Sequence, residues 1–275
     1  MSESPAATDP LVPRPAATVM LVRDGARAGI EVYLMRRHSA MDFVAGVMVF
    51  PGGGVDNRDR NADVAWHGPD RQWWAGRLGV DAELAEALVC AAARETFEEC
   101  GVLFAGAADD PDLLVDDASV YREQRAALED KSLSFGEFLR SEKLVLRADL
   151  LRPWARWITP EGQPRRYDTA FFVALLPTGQ QADAHTTEAV EATWWHPEAA
   201  LEQWERGELQ LMAPTIWNLR ELAAQPDSAA VLAAAERRDV HPVTPRVIRR
   251  DGRRVVVLPG EPDVEFAAPA GGGPP

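Results

Sequence analysis

The chain has 275 residues, 46% of them apolar, enough for one elaborated domain around a buried core. Its formal net charge of -14 argues against nucleic acid or an anionic membrane as partner, because both are bound through clustered Lys and Arg. No apolar run reaches the roughly 18 residues a membrane span needs, and a polar, Pro-rich N-terminus speaks against a secretory signal.

Residues 1–15, rich in Pro, Ala and Ser, read as a disordered lead-in. Residues 17–23 form a predicted buried strand, followed by a turn at Asp24-Gly25 and a second strand over 31–36. Residues 46–50 are a third strand, delivering a glycine turn at Phe50-Pro51-Gly52-Gly53-Gly54. A helix is expected over 82–99, with Asp81 as its N-cap and Gly101 as its left-handed end. Leu84, Leu88 and Ala92 make the stripe that holds this helix to a sheet.

Residues 118–130 and 134–139 read as a helical elaboration over the core. Strands follow over 167–176 and 189–195, the latter turning at His196-Pro197. Helices over 198–206 and 215–224 flank the break at Met212-Ala213-Pro214. Residues 246–250 and 253–258 flank Asp251-Gly252, the strongest hairpin signal present, and 263–275 form a disordered tail. Cys90 and Cys100 lie too far apart on one predicted helix to bond, which fits a reducing cytosol. The C-terminus has no Ser-Lys-Leu-type address, so a cytoplasmic protein is expected.

The chemistry concentrates in Arg94-Glu95-Thr96-Phe97-Glu98-Glu99-Cys100-Gly101-Val102. Spacings of i, i+3 and i+4 put Glu95, Glu98 and Glu99 on one helical face, where like charges repel unless a cation joins them. Hard oxygen donors without His or Cys suit Mg²⁺ or Mn²⁺. An acidic triplet alone is most often a solvated face. Here the glycine turn upstream, the helix-ending Gly101, and Arg94 one turn before Glu98 point to a built site. No His-x-x-x-His spacing, Gly-x-Ser-x-Gly elbow or Gly-Lys-Ser/Thr loop occurs, so zinc, covalent and P-loop chemistry lack support.

This segment resembles the Nudix hydrolase box, whose pattern runs Gly, five residues, Glu, seven residues, then Arg-Glu-apolar-x-Glu-Glu-x-Gly-apolar. The matching positions are Gly53, Glu86, Arg94, Glu95, Thr96, Glu98, Glu99, Gly101 and Val102. Residues 54–85 stand where the pattern has five residues, a long insertion carrying Trp66, Trp73 and Trp74. With Trp157 to Gly162, Arg165 to Phe172 and Leu211 to Pro214, the chain is similar to the branch containing the peroxisomal acyl-coenzyme A diphosphatases.

The resemblance implies an α+β fold, a Nudix-type α/β/α sandwich with a central mixed sheet, a helical elaboration and a C-terminal β-hairpin, over 16–262. It implies Mg²⁺ or Mn²⁺ held by Glu95, Glu98, Glu99 and the Gly52 carbonyl, with Arg94 orienting a carboxylate and a glutamate taking the proton. Glu188, with Glu191 as its rival, is the distant acid that completes the metal set. Arg165 and Arg166 are the expected phosphate contacts, and Arg37 belongs to a coenzyme A signature in which Asp42 replaces a second Arg. The implied substrate is a small nucleotide diphosphate derivative, coenzyme A or its acyl esters first, yielding 3',5'-ADP and a phosphopantetheine. ADP-ribose or NADH hydrolysis, or a nucleotide-sensing module without turnover, are the alternatives, and self-association into a homodimer is left open.

Overall fold

A computed structural model describes residues 11–37, 46–60, 63–183, 189–250, 253–258 and 261–267. Strands β1 (Arg14–Asp24), β2 (Ile30–Arg37), β3 (Val47–Val49) and β4 (Gly52–Gly54) lead into helix α1 (Asn57–Arg60) and strand β5 (Trp66–His67). Helices α2 (Arg71–Leu78) and α3 (Ala82–Cys100) follow, then β6 (Ala105–Ala107), α4 (Arg122–Glu129), α5 (Phe135–Ser141) and β7 (Leu144–Arg147). Next come β8 (Leu151–Ile158), β9 (Tyr167–Leu175), β10 (Ala189–Trp195), α6 (Pro197–Glu205), β11 (Gln210–Leu211), α7 (Ala213–Ala223) and α8 (Ser228–Glu236). The last elements are β12 (Pro242–Val243), β13 (Arg246–Arg250), β14 (Arg253–Leu258) and β15 (Glu261–Ala267).

Alternation along β1 explains the layering. Ala17, Val19 and Leu21 pack into one core with α2, α3 and α5, whereas Met20 and Val22 pack into a second with α6, α7 and α8. Side chains two apart face the same way, so one strand feeds both layers of an α/β/α sandwich. The sheet is mixed: β1 pairs β9 in parallel, and β2 and β4 antiparallel.

One edge of β1 belongs to β9, and the other is divided between two strands. Val22 to Asp24 pair with β2, whereas Ala16 to Thr18 pair with β4. Strand β2 divides an edge in the same way, meeting β1 at Val32 and β3 at Met35 and Arg36. Strands β1 and β2 therefore part company along their length, and the chain from β3 to β4 fills the gap. The Pro51 carbonyl accepts from the Val19 amide at 2.8 Å, pinning the glycine turn into that opening.

The boundaries differ from expectation at both ends. Strand β1 starts at Arg14, within the segment read as a lead-in, because β9 offers it a parallel partner at Tyr167. The C-terminal hairpin gains a third strand, β15, which runs into residues read as tail. Strand β8 is invisible to pattern reading: Pro153 and two arginines interrupt its alternation, and Pro153 sits at a register shift against β9. No helix among the described residues is long and apolar enough to cross a membrane.

Candidate active site

Helix α3 is fixed at both ends by local chemistry. The Asp81 carboxylate accepts from the Leu84 amide at 2.8 Å, and Gly101 adopts φ 70° while donating its amide to the Phe97 carbonyl. Between the caps, Ala85, Leu88, Val89, Ala92 and Phe97 are buried, and small side chains let the helix approach β1 closely. The last two turns, carrying Arg94, Glu95, Glu98 and Glu99, are thereby pressed against the glycine turn.

The turn needs glycine because of that approach. A Cβ on Gly52 would lie 2.6 Å from the Thr18 Cα, and one on Gly53 would lie 2.5–2.7 Å from the Glu95 carboxylate. Glu99, 5% exposed, accepts from the Gly52 amide at 2.6 Å. Two of the three helix carboxylates thus touch the bend, and Glu98 stands beside them on Arg94 at 3.1 Å.

Arg94 has an acidic partner that pattern reading missed. Its Nε and Nη2 donate to the two carboxylate oxygens of Asp59 at 2.8 and 2.9 Å, Nη2 also reaches the Gly54 carbonyl, and Nη1 lies 2.9 Å from Glu95. Asp59 is only 2% exposed and comes from α1. Glu86, the residue matched to the acidic position of the box, is eight residues before Arg94 on the same helix, about 12 Å along its axis. It faces Arg71 at 3.8 Å instead. Counting from Gly53, five residues lead to Asp59, so the expected spacing is kept with Asp in place of Glu. The long excursion begins after it, not before.

Burial sets the electrostatics. It pushes the Glu95 carboxyl up to about 7, with the charge of Glu98 adding to the effect and Arg94 opposing it. Burial raises Glu98 too, against the pull of Arg94. For Arg94 burial works against the charge, but the Asp59 hydrogen bonds and the nearby Glu95, Asp59 and Glu98 charges overcome it and keep the guanidinium protonated.

A second arginine absent from the sequence reading braces the helix end. Arg125, from α4, donates Nε to the Glu98 carbonyl at 3.0 Å and Nη1 to Asp183 at 2.9 Å, while Tyr33 donates its hydroxyl to the Asp183 carbonyl. A cation at a helix C-terminus is favourable, and Arg125 closes the end of α3 from outside the box.

The other expected residues are dispersed. Arg166 donates to the Thr159 and Leu11 carbonyls, so its observed bonds staple backbone, while Arg165 is exposed. Arg37 ends β2 opposite Ala189, but its side chain, like Asp42 and Glu188, lies outside the described residues. Glu191 pairs with Arg36 at 3.1 Å. A cleft of about 200 Å³ opens beside Gly52 and Glu99, with Phe50, Phe171, Met212 and Pro214 among its apolar walls and Thr18, Thr169 and Thr215 at its polar points.

The donor set suits a hard divalent cation: every available ligand is an oxygen, and Glu98 Oε1 is buried without a hydrogen-bond partner. Among the described residues, however, no three His, Cys, Asp or Glu side chains stand as a ready ligand cluster. The positive charge between Glu95 and Glu98 is that of Arg94.

Comparison with known proteins agrees with this architecture. The profile described as the NUDT19 Nudix domain matches residues 75–222. The Homo sapiens acyl-coenzyme A diphosphatase NUDT19 is 27% identical over 244 residues, covering 76% of this chain and 65% of its own. The Xenopus laevis protein of the same name is 25% identical over 229 residues, covering 70% and 59%. The chain thus spans less than two thirds of the length of either relative. A crystal structure of a NUDIX hydrolase from Alicyclobacillus acidocaldarius superposes with a TM-score of 0.67 and 30% identity, over 83% of this chain and 97% of that one.

Proposed function

Because this chain belongs to the Nudix hydrolase family, we propose that it cleaves the diphosphate bond of coenzyme A or an acyl-coenzyme A, giving 3',5'-ADP and (acyl-)4'-phosphopantetheine. The observation that carries the reading is the convergence of Glu95 and Glu99 on the Gly52-Gly53 bend, with Glu98 alongside and one of its oxygens unpartnered. Glu95, Glu98, Glu99 and the Gly52 carbonyl would hold Mg²⁺ or Mn²⁺, with Glu188 as the proposed distant acid. Bound there, the ion supplies charge neutralisation for the diphosphate and an acidified water.

The protein's own part is positional. Asp59 and Arg94 brace the carboxylates, α3 and the glycine turn hold them in register, and a glutamate receives the proton lost by water as its oxygen attacks phosphorus and the bridging P–O bond breaks. We assign that task to Glu95 or Glu98. The apolar cleft beside Glu99 supports a substrate with a non-phosphate arm, and the human relative carries the name acyl-coenzyme A diphosphatase. Arg37, Arg165 and Arg166 are proposed as phosphate contacts, and the cytoplasm as the place of action.

The test is a panel of coenzyme A, acyl-coenzyme A, ADP-ribose and NADH with Mg²⁺ or Mn²⁺, read by product identity. Release of 3',5'-ADP from coenzyme A substrates at a higher kcat/KM than any other turnover supports the proposal. Rapid turnover of ADP-ribose with coenzyme A untouched would move the assignment to another Nudix substrate, and no metal-dependent hydrolysis of any compound would favour a sensing module.

A further inference from the structure

A buried asparagine lies one helical turn beyond the wall of the cleft. Helix α7 gives Pro214 and Thr215 to that wall, and Asn218 follows them at i+4 and i+3, on the same helical face. Asn218 is 0% exposed, and neither its Nδ2 nor its Oδ1 has a hydrogen-bond partner. The other incompletely paired side chains among the described residues lack a partner at a single buried atom, as Glu98 does at Oε1. A carboxamide carries two N–H donors and an oxygen with two lone pairs, and leaving all of them unmet inside an apolar layer is destabilising. Ile216, Leu219 and Leu222, beside it on α7, belong to that apolar layer, where a leucine at 218 would suit the packing better. Stability does not account for an asparagine here.

The cleft does. Thr18, Thr169 and Thr215 interrupt its apolar walls, a pattern that fits a chain of methylenes and methyls broken by amides better than one flat ring. Met35 and Met212 in the lining are unbranched and can repack around an entering chain. We infer that Asn218 is a specificity-determining residue at the buried end of this cleft, where its carboxamide pairs with an amide of the substrate's non-phosphate arm. The inference rests on the coenzyme A reading proposed above and names the group that reads the pantetheine half: Nδ2 donates to an amide carbonyl and Oδ1 accepts from an amide N–H. ADP-ribose has no amide in the matching arm, so it would leave the asparagine unmet and be the poorer substrate.

The probes are 4'-phosphopantetheine and 3',5'-ADP, used as inhibitors of coenzyme A hydrolysis by the full chain with Mg²⁺. In Asn218→Leu, close in volume and apolar, inhibition by 4'-phosphopantetheine should weaken roughly tenfold or more and the KM for coenzyme A should rise in step, while inhibition by 3',5'-ADP and kcat stay within roughly threefold. The same substitution removes an unmet amide, so the melting temperature of the free protein should rise. A fall in melting temperature would show the amide already satisfied and overturns the inference. Equal loss toward both inhibitors, or loss toward 3',5'-ADP alone, overturns it as well, and so does unchanged inhibition by 4'-phosphopantetheine.

A measurement on the unaltered protein covers a variant that fails to fold. The Asn218 carboxamide resonances should shift and gain protection from exchange with 4'-phosphopantetheine and stay in place with 3',5'-ADP. No response to 4'-phosphopantetheine contradicts the inference. If the unaltered protein does not hydrolyse coenzyme A, the substrate reading falls and this inference with it, whereas hydrolysis with an unchanged KM in folded Asn218→Leu sinks the role of Asn218 alone.

Discussion

The two halves of α3 are buried by opposite means. From Ala85 to Ala93 the helix hides methyl groups and Leu88 against the sheet, so burial itself is the stabilising force. From Arg94 to Glu99 it hides charge, and burial there is tolerable only because Arg94 and the Gly52 amide meet the glutamate carboxylates while Asp59 pairs with Arg94. A rigid apolar half thus holds a charged half where water is scarce, with Phe97 continuing the apolar face beneath the carboxylates.

Substitutions in the two halves should separate stability from turnover. The largest effect is expected for Glu98→Gln, which should cut kcat by about three orders of magnitude with little change in melting temperature, measured by steady-state assay and calorimetry. Arg94→Ala leaves buried carboxylates without their cation and should cost about 3–5 kcal/mol in urea unfolding as well as activity. Leu88→Ala, in the apolar half, should cost about 2–4 kcal/mol and leave kcat per folded molecule unchanged.

A pH series sharpens the same contrast. The folded Glu95 carboxyl titrates at about 7 against an ordinary value of 4.5, so between these limits the metal-free folded protein keeps a proton that the unfolded chain has released. Stability of the metal-free protein should therefore fall as pH rises through that window, and Glu95→Gln should flatten the slope. The smallest effect belongs to Asp81→Ala, where loss of the cap to Leu84 should lower stability by about 1 kcal/mol without touching turnover.

Local signals made α3 legible before any coordinates. Asp81, Gly101 and the Leu84-Leu88-Ala92 spacing act within one helix, and the structure places both caps where the residues indicate. The glycine turn was legible for the same reason. Asp59 was not, although it lies at the family spacing from Gly53: an Asp stands for Glu, and the excursion after it draws the eye to Glu86. Arg125 carried no local signal, since its bonds to Glu98 and Asp183 join segments far apart in the chain. The two-residue strands β5, β11 and β12 have no period to read, and they exist because longer strands offer them an edge.

The central claim is that the charged half of α3 holds a catalytic divalent ion at the glycine bend. Anomalous diffraction from a crystal soaked in Mn²⁺ tests it most directly. The account predicts a peak bounded by Glu95, Glu98, Glu99 and the Gly52 carbonyl. Metal-dependent hydrolysis in a crystal whose Mn²⁺ lies elsewhere would contradict it.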